Sequence, residues 1–158
     1  MTIYFYSVRD AYGCFSNFSP HSIELNGKWW ATTEHYFQAQ KFVGTEHEEQ
    51  TRLAKTPKQA AEMGRNRSRP LRADWEVVKD AVMREAVLQK FLTHHDIQSL
   101  LLETGDEELV EQTTYDYYWG CGTDGTGKNM LGQILMEVRA EIRTHLATTL
   151  EEDATHAG

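Results

Sequence analysis

A chain of 158 residues fits one domain and is long enough to bury a core. Its hydrophobic content of 40% and charged content of 25% are ordinary for a globular protein, and its formal net charge of −8 argues against binding nucleic acid by bulk electrostatics. Cys14 and Cys121 stand far apart and in no CxxC pattern, so neither a disulfide framework nor a metal site is indicated. The N-terminus lacks the basic region and long apolar run of a secretory signal, and no segment approaches membrane-spanning length. A cytoplasmic setting without a membrane is expected.

Residues 3–6 are β-prone, and the turn Phe15-Ser16-Asn17-Phe18 follows, where Asn17 either fixes a sugar hydroxyl or closes the turn. Residues 22–25 and 28–30 flank Asn26-Gly27, the pattern of a two-residue hairpin. A short helix then spans the stretch from Thr32 to Phe42. Further helical patterns occupy residues 48–54, 57–63, 75–92 and 97–103. In the last helix, over residues 129–146, Leu131, Leu135, Val138 and Ile142 recur at helical spacing. The spacing predicts an α+β fold, a predominantly helical single domain (residues 1–147) with a few short β-strands. Residues 148–158 have nothing to bury and read as a disordered acidic tail.

Four stretches carry candidate chemistry. In the helix from Thr32, Glu34, Gln38 and Lys41 fall within a sector of roughly 60°, at about 100° per residue. A carboxylate, an amide and an amine between Phe37 and Phe42 suit a polar reaction site; the same stripe also fits the wet face of an amphipathic helix. Residues 64–72 hold four arginines, Arg65, Arg67, Arg69 and Arg72, whose forks match phosphate oxygens or pair with surplus carboxylates. Residues 122–129 nearly spell a phosphate-binding Walker loop, but Asn129 stands where a hydroxyl would hold magnesium. Gly127, Lys128 and Asn129 are left with a weaker reading, backbone N–H groups offered to an anion where a helix opens. In Tyr115-Asp116-Tyr117-Tyr118-Trp119-Gly120, Trp119 either stacks on a base or belongs to the core.

Taken in order, these elements resemble the NADAR, or YbiA-like, family. The matching segments are Phe15-Ser16-Asn17-Phe18, Thr33-Glu34-His35-Tyr36-Phe37-Gln38-Ala39-Gln40-Lys41-Phe42, Gly64-Arg65-Asn66-Arg67, Tyr118-Trp119-Gly120 and Gly127-Lys128-Asn129-Met130-Leu131-Gly132. They cover residues 3–146 with no departure at the motif positions. The resemblance implies an N-glycosidase that hydrolyses the bond between a ribose phosphate or ADP-ribose and a base or amine. It implies two substrate classes: phosphoribosylated intermediates of riboflavin synthesis, and ADP-ribose on a base, notably guanine in DNA, which would be held through the adduct. It places Glu34 at the catalytic centre, with Asn17, Trp119 and Asn129 as neighbours, and the residue reading adds Gln38, Arg65, Arg67, Gly127 and Lys128 as substrate contacts. No metal or cofactor is expected.

Cleaving an N-riboside builds positive charge at the anomeric carbon, which a nearby carboxylate stabilises. Glu34 lies in the first turn of its helix, where the macrodipole favours the ionised form and hence a base, nucleophile or charge stabiliser. Asp116 is a candidate second carboxylate for protonating the leaving group, and water or the substrate's own tautomer would also serve. Lys41 either contacts phosphate, attacks an opened sugar to form a Schiff base, or is an ordinary surface lysine. A non-catalytic ADP-ribose- or nucleotide-binding module would use the same arginines and Trp119 without needing the charge of Glu34.

Overall fold

The computed structural model describes residues 1–156. Strand β1 (Ile3–Phe5) is followed by a 3-10 turn at Gly13–Phe15, then by β2 (Ile23–Leu25) and β3 (Lys28–Trp30). Asn26 and Gly27 take positive φ of 56° and 74°, as a two-residue turn that follows the twist of its strands requires. The helices are α1 (Thr33–Gln40), α2 (Glu46–Arg52), α3 (Pro57–Gly64), α4 (Trp75–Thr93), α5 (His95–Glu103) and α6 (Met130–His156). The first three start alike. The hydroxyls of Thr32, Thr45 and Thr56 accept the N–H of His35, His47 and Gln59, and Pro57 occupies a first-turn position whose N–H has no helical partner.

Helix α1 sits at the centre. All eight of its residues are buried, between α2, α3 and α4. Its polar groups are therefore bonded inside the protein: His35 Nε2 meets Ala54 C=O at 2.9 Å and Nδ1 meets Thr32 Oγ1 at 2.8 Å. Around it, α4 buries Val82, Met83, Ala86, Val87 and Phe91, and α6 buries Leu131, Ile134, Leu135, Val138 and Ile142. These apolar stripes face each other and close the core, with Phe15 wedged between Phe5 and Phe91.

One strand is absent from the sequence reading. Strand β4 (Leu109–Glu111) lies parallel to β1, with Ile3 opposite Leu109 and Phe5 opposite Glu111. A three-residue strand has too little alternation to be seen by periodicity, and its partner lies a hundred residues away. Helix α6 also continues through His156, into the segment expected as a disordered tail, as an exposed extension beyond its last core residue Ile142. Residues 157 and 158 of that segment lie outside the described residues.

Lys90, on α4, is a buried amine, 1% exposed, that donates to Ser16 C=O at 3.0 Å. Burial holds it down at about 7. The unfolded chain therefore binds more protons than the folded one between about pH 7 and the ordinary lysine value of 10.5, and stability rises with pH across that window. Replacing Lys90 by Met is expected to stabilise the fold at pH 6 by an amount on the order of a few kcal/mol, and to do less at pH 10. Thermal melts of both proteins across this range measure the difference.

Candidate active site

A cavity of about 870 Å³ opens beside α1. One wall is the polar stripe of that helix, Glu34, Gln38 and Lys41. The turn carrying Asn17 forms a second, Trp75, Glu76, Lys79 and Met83 of α4 a third, and the segment from Glu111 to Trp119 closes the fourth. Arg65, just past α3, lies at its edge and is shared with an adjoining recess of about 640 Å³ that Arg67 and Arg69 also line.

Glu34 is held from two directions. Its backbone N–H donates to Asn17 C=O at 3.2 Å, and its Oε1 accepts Gln38 Nε2 at 2.8 Å. The i, i+4 spacing on the helix supplies the second contact. Asn17 itself is fixed: its Oδ1 accepts Thr33 Oγ1 at 2.8 Å and its Nδ2 donates to Met83 Sδ at 3.3 Å. Burial pushes the Glu34 carboxyl above its ordinary range, with Gln38, Lys41 and Arg65 pulling it back and Asp116 adding to the rise. Its position in the first helical turn does not set its ionisation; loss of water outweighs the partial charge of a short helix.

Lys41 reaches over Gly64 C=O at 3.3 Å, with its ammonium 5.8 Å from the Phe37 ring centroid and 5.7 Å from that of Trp75. Burial lowers its pKa, Glu34 opposes that shift, and Arg65 and Arg67 add to it. Trp119 packs edge-on against Phe37 and Tyr118, so it is at once a core neighbour and a cavity wall. Asp116 Oδ1 accepts the N–H groups of Tyr118 and Trp119, at 2.9 and 2.8 Å, and thereby fixes that indole.

The arginine segment divides. Arg72 is tied to Asp74 through Nε at 2.6 Å and Nη2 at 3.0 Å. Among the described residues, Arg65, Arg67 and Arg69 take part in no ion pair, and Nη1 of Arg69 is buried with no partner. The surplus carboxylates do not consume these three cations.

Gly127, Lys128 and Asn129 do not line the cavity. Their N–H groups point inward, to the C=O of Cys121, Tyr117 and Gly120, and those of Met130 and Leu131 reach Tyr118 and Trp119. The opening turn of α6 is thus closed by carbonyls of the aromatic run, so no N–H cradle is left for an anion. The Asn129 amide clamps β4, a contact between distant segments that the motif does not announce.

The sequence reading passed over Glu111, Trp75, Glu76 and Lys79, which also line the cavity. Glu111 sits at the end of the unseen β4, among acidic residues that look like a solvated surface. Its carboxyl is pushed up to about 8, first by burial and then by Asp116 and Glu34. No three His, Cys, Asp or Glu side chains among the described residues are grouped to hold a metal ion.

Gly64 tests how closely Gln38 is packed. A Cβ there would fall 1.8 Å from Gln38 Oε1, an atom already buried without a partner. Gly64→Ala is expected to push the amide off Glu34 and to cost about 1–3 kcal/mol. Denaturant unfolding reads the stability, and the carboxyl NMR signal of Glu34 reads the lost hydrogen bond.

The NADAR domain model matches residues 4–143. A protein of Nostoc punctiforme named an N-glycosidase is 57% identical, over 94% of this chain and 97% of that one. N-glycosidase YbiA of Escherichia coli is 51% identical, over 89% of this chain and 88% of its own length. A chloroplastic riboflavin biosynthesis protein of Zea mays is 43% identical across 89% of this chain, which spans only 25% of that protein. The NMR structure of E. coli YbiA superposes with a TM-score of 0.86 at 49% identity, covering 92% of this chain and 87% of that one. The ordered motifs, the domain model and the shared fold agree: the chain belongs to the NADAR domain family.

Proposed function

We propose that this chain is an N-glycosidase that hydrolyses the bond between a phosphorylated ribose and a base or amine. The observation that carries the reading is the setting of Glu34, a buried carboxyl in a cavity large enough for a nucleotide, flanked by Lys41 and by arginines with no acidic partner. Two relatives named N-glycosidase, matched over nearly their full lengths, support it.

The chain's own residues divide the work. Arg65, Arg67 and Arg69, with Lys41 between them and Glu34, suit a 5′-phosphate or a diphosphate. Glu34 then faces the anomeric carbon, where its charge stabilises the oxocarbenium-like transition state or draws a proton from the attacking water. A raised carboxyl pKa strengthens it as a base, and turnover should rise with pH through a limb above the usual carboxylate range. Gln38 orients Glu34, Asn17 suits a ribose hydroxyl, and Trp119 offers a face to the base. Lys41 favours a second route: with its pKa lowered, its amine attacks C1 of the ring-opened sugar, expels the base, and leaves a Schiff base that water hydrolyses.

Both a phosphoribosylated intermediate of riboflavin synthesis and ADP-ribose on guanine present this N-linked, phosphorylated ribose. The relative named a riboflavin biosynthesis protein supports the first class. With a net charge of −8, a DNA substrate would be gripped through its ADP-ribose adduct rather than its backbone.

The deciding experiment offers purified protein both substrates and follows release of base or ADP-ribose by mass spectrometry. Glu34→Gln, isosteric and uncharged, is expected to slow turnover at least about 10²-fold. A folded variant with wild-type turnover would remove Glu34 from the chemistry, and saturable binding without any release would make the protein a binding module. Borohydride added during turnover is expected to leave a ribosyl phosphate or ADP-ribose mass on Lys41 if the Schiff-base route operates. An unmodified lysine during active turnover would eliminate that route.

A further inference from the structure

Breaking an N-riboside needs a proton for the departing nitrogen, and the groups considered so far supply it poorly. Burial raises the Glu34 carboxyl, but Gln38, Lys41 and Arg65 favour its charged form, and Gln38 already occupies one of its oxygens. Asp116 has one carboxyl oxygen committed to the N–H groups of Tyr118 and Trp119. Glu111 differs from both. It lines the same cavity, and among the described residues its carboxyl receives no hydrogen bond and forms no ion pair. Glu111 is also only half-buried, so it is not sealed in the interior.

The backbone that carries this carboxyl is fastened on both edges. Towards β1, Glu108 C=O accepts Ile3 N–H at 2.8 Å and Gln112 N–H donates to Phe5 C=O at 2.9 Å. On the opposite edge, Asn129 takes the place of a neighbouring strand: its Oδ1 accepts Glu111 N–H at 3.0 Å and its Nδ2 donates to Leu109 C=O at 2.9 Å. Cys121 N–H completes this edge on Glu111 C=O at 2.9 Å. Gly132 makes the approach feasible, because a Cβ there would fall 2.1 Å from Leu109 C=O and 2.3 Å from Asn129 Nδ2. Such fastening suits a side chain that must meet a substrate in one geometry.

The cavity is also electrically ordered. Glu34, on α1, feels Lys41 and Arg65 as well as Asp116. Glu111 feels only Glu34 and, on the following loop, Asp116. The remaining charges on the cavity wall, Glu76 and Lys79 of α4, are paired with each other at 2.6 Å. Lys41 and Arg65 thus act on Glu34, whereas no cation offsets the burial of Glu111 on the facing wall. A substrate with its phosphate among the arginines and its anomeric carbon at Glu34 directs its base towards Glu111.

We propose that Glu111 is a catalytic acid that protonates the leaving nitrogen. The inference rests on the N-riboside reading of the cavity. As the C1–N bond breaks, its electron pair goes to nitrogen, which takes the Glu111 proton. Water adds its oxygen to C1 and gives a proton to Glu34, and exchange with solvent returns Glu34 to carboxylate and Glu111 to acid. At neutral pH Glu111 holds that proton, since its carboxyl is pushed up to about 8. The sign follows: turnover falls as pH rises through that value and the acid is lost, which sets the basic limb of the profile.

The test measures base release from an aminopyrimidine N-riboside 5′-phosphate and from ADP-ribosylated guanine, over pH 5–10, with wild type, Glu111→Gln and Glu111→Asp. On whichever substrate the wild type cleaves, Glu111→Gln is expected to lose at least about 10²-fold in kcat together with the basic limb. Glu111→Asp retains an acid and should keep a basic limb at reduced kcat. A ¹³C titration of the wild-type carboxyls should show one group titrating near pH 8, a readout independent of how any variant folds. Glu111→Gln turnover within about threefold of wild type, an unchanged basic limb, or no carboxyl titrating above pH 7 would overturn the assignment. No release by wild type from either substrate overturns the parent reading and this one with it; release that ignores Glu111 overturns this one alone.

Discussion

The structure depends on burying a polar helix. All eight residues of helix α1 are buried, yet they include Glu34, His35, Gln38 and Gln40. Each must be satisfied by the protein, because an unpaired polar group inside costs more than a hydrogen bond returns. His35 is spent on Ala54 and Thr32, and Gln40 on Glu48, which ties α1 to the segments around it. The residues facing the cavity bond mainly to one another, through the Gln38–Glu34 contact and the Asn17 turn, with Gln38 Oε1 left without a partner. The helix is therefore both the hub of the core and one wall of the proposed site, and its chemistry inherits the low dielectric of the core.

A second arrangement supports the first from across the cavity. The N-terminal N–H groups of α6 are closed by carbonyls of the Tyr117–Gly120 run, while Asp116 closes the N–H groups of Tyr118 and Trp119. The loop so formed is wound on itself, and Gly120, Gly122 and Gly127 sit where side chains would collide: a Cβ at Gly127 would fall 2.4 Å from Gly120 C=O. What resembles a phosphate loop by composition is a brace for Trp119 and, through Asn129, for β4. The same features that cradle an anion elsewhere, small residues before a helix, here let one backbone lie against another.

These two walls set a gradient of charge. Arg65 lines the cavity without an acidic partner, Arg67 and Arg69 line the adjoining recess, and Glu111 lines the cavity without a cation to offset its burial. Glu34 lies between opposing influences, with burial favouring its proton and Lys41 and Arg65 favouring its charge. Burial raises both carboxyls but cations oppose the rise only at Glu34, the kind of difference by which a single site can offer both a base and an acid.

Much of this was legible before any coordinates. The Asn26-Gly27 hairpin, the helices over α2 to α6 and the polar stripe of α1 are local facts, set by backbone preferences and by residues within a few turns of one another. The common cavity of Glu34, Gln38 and Lys41 follows from their spacing once the helix is known to face inward. That inward orientation is not local. Whether a polar stripe meets water or a cavity depends on what α2, α3 and α4 place around it. Strand β4 likewise exists through pairing with β1 across the length of the chain, and so Glu111 stayed hidden among surface-like acids. The sequence by itself determined the helices and the hairpin, the family and the cluster of polar groups on α1, but not strand β4. The tertiary structure alone decided which carboxyls lose their water, because desolvation is imposed by distant segments and leaves no trace in neighbouring residues.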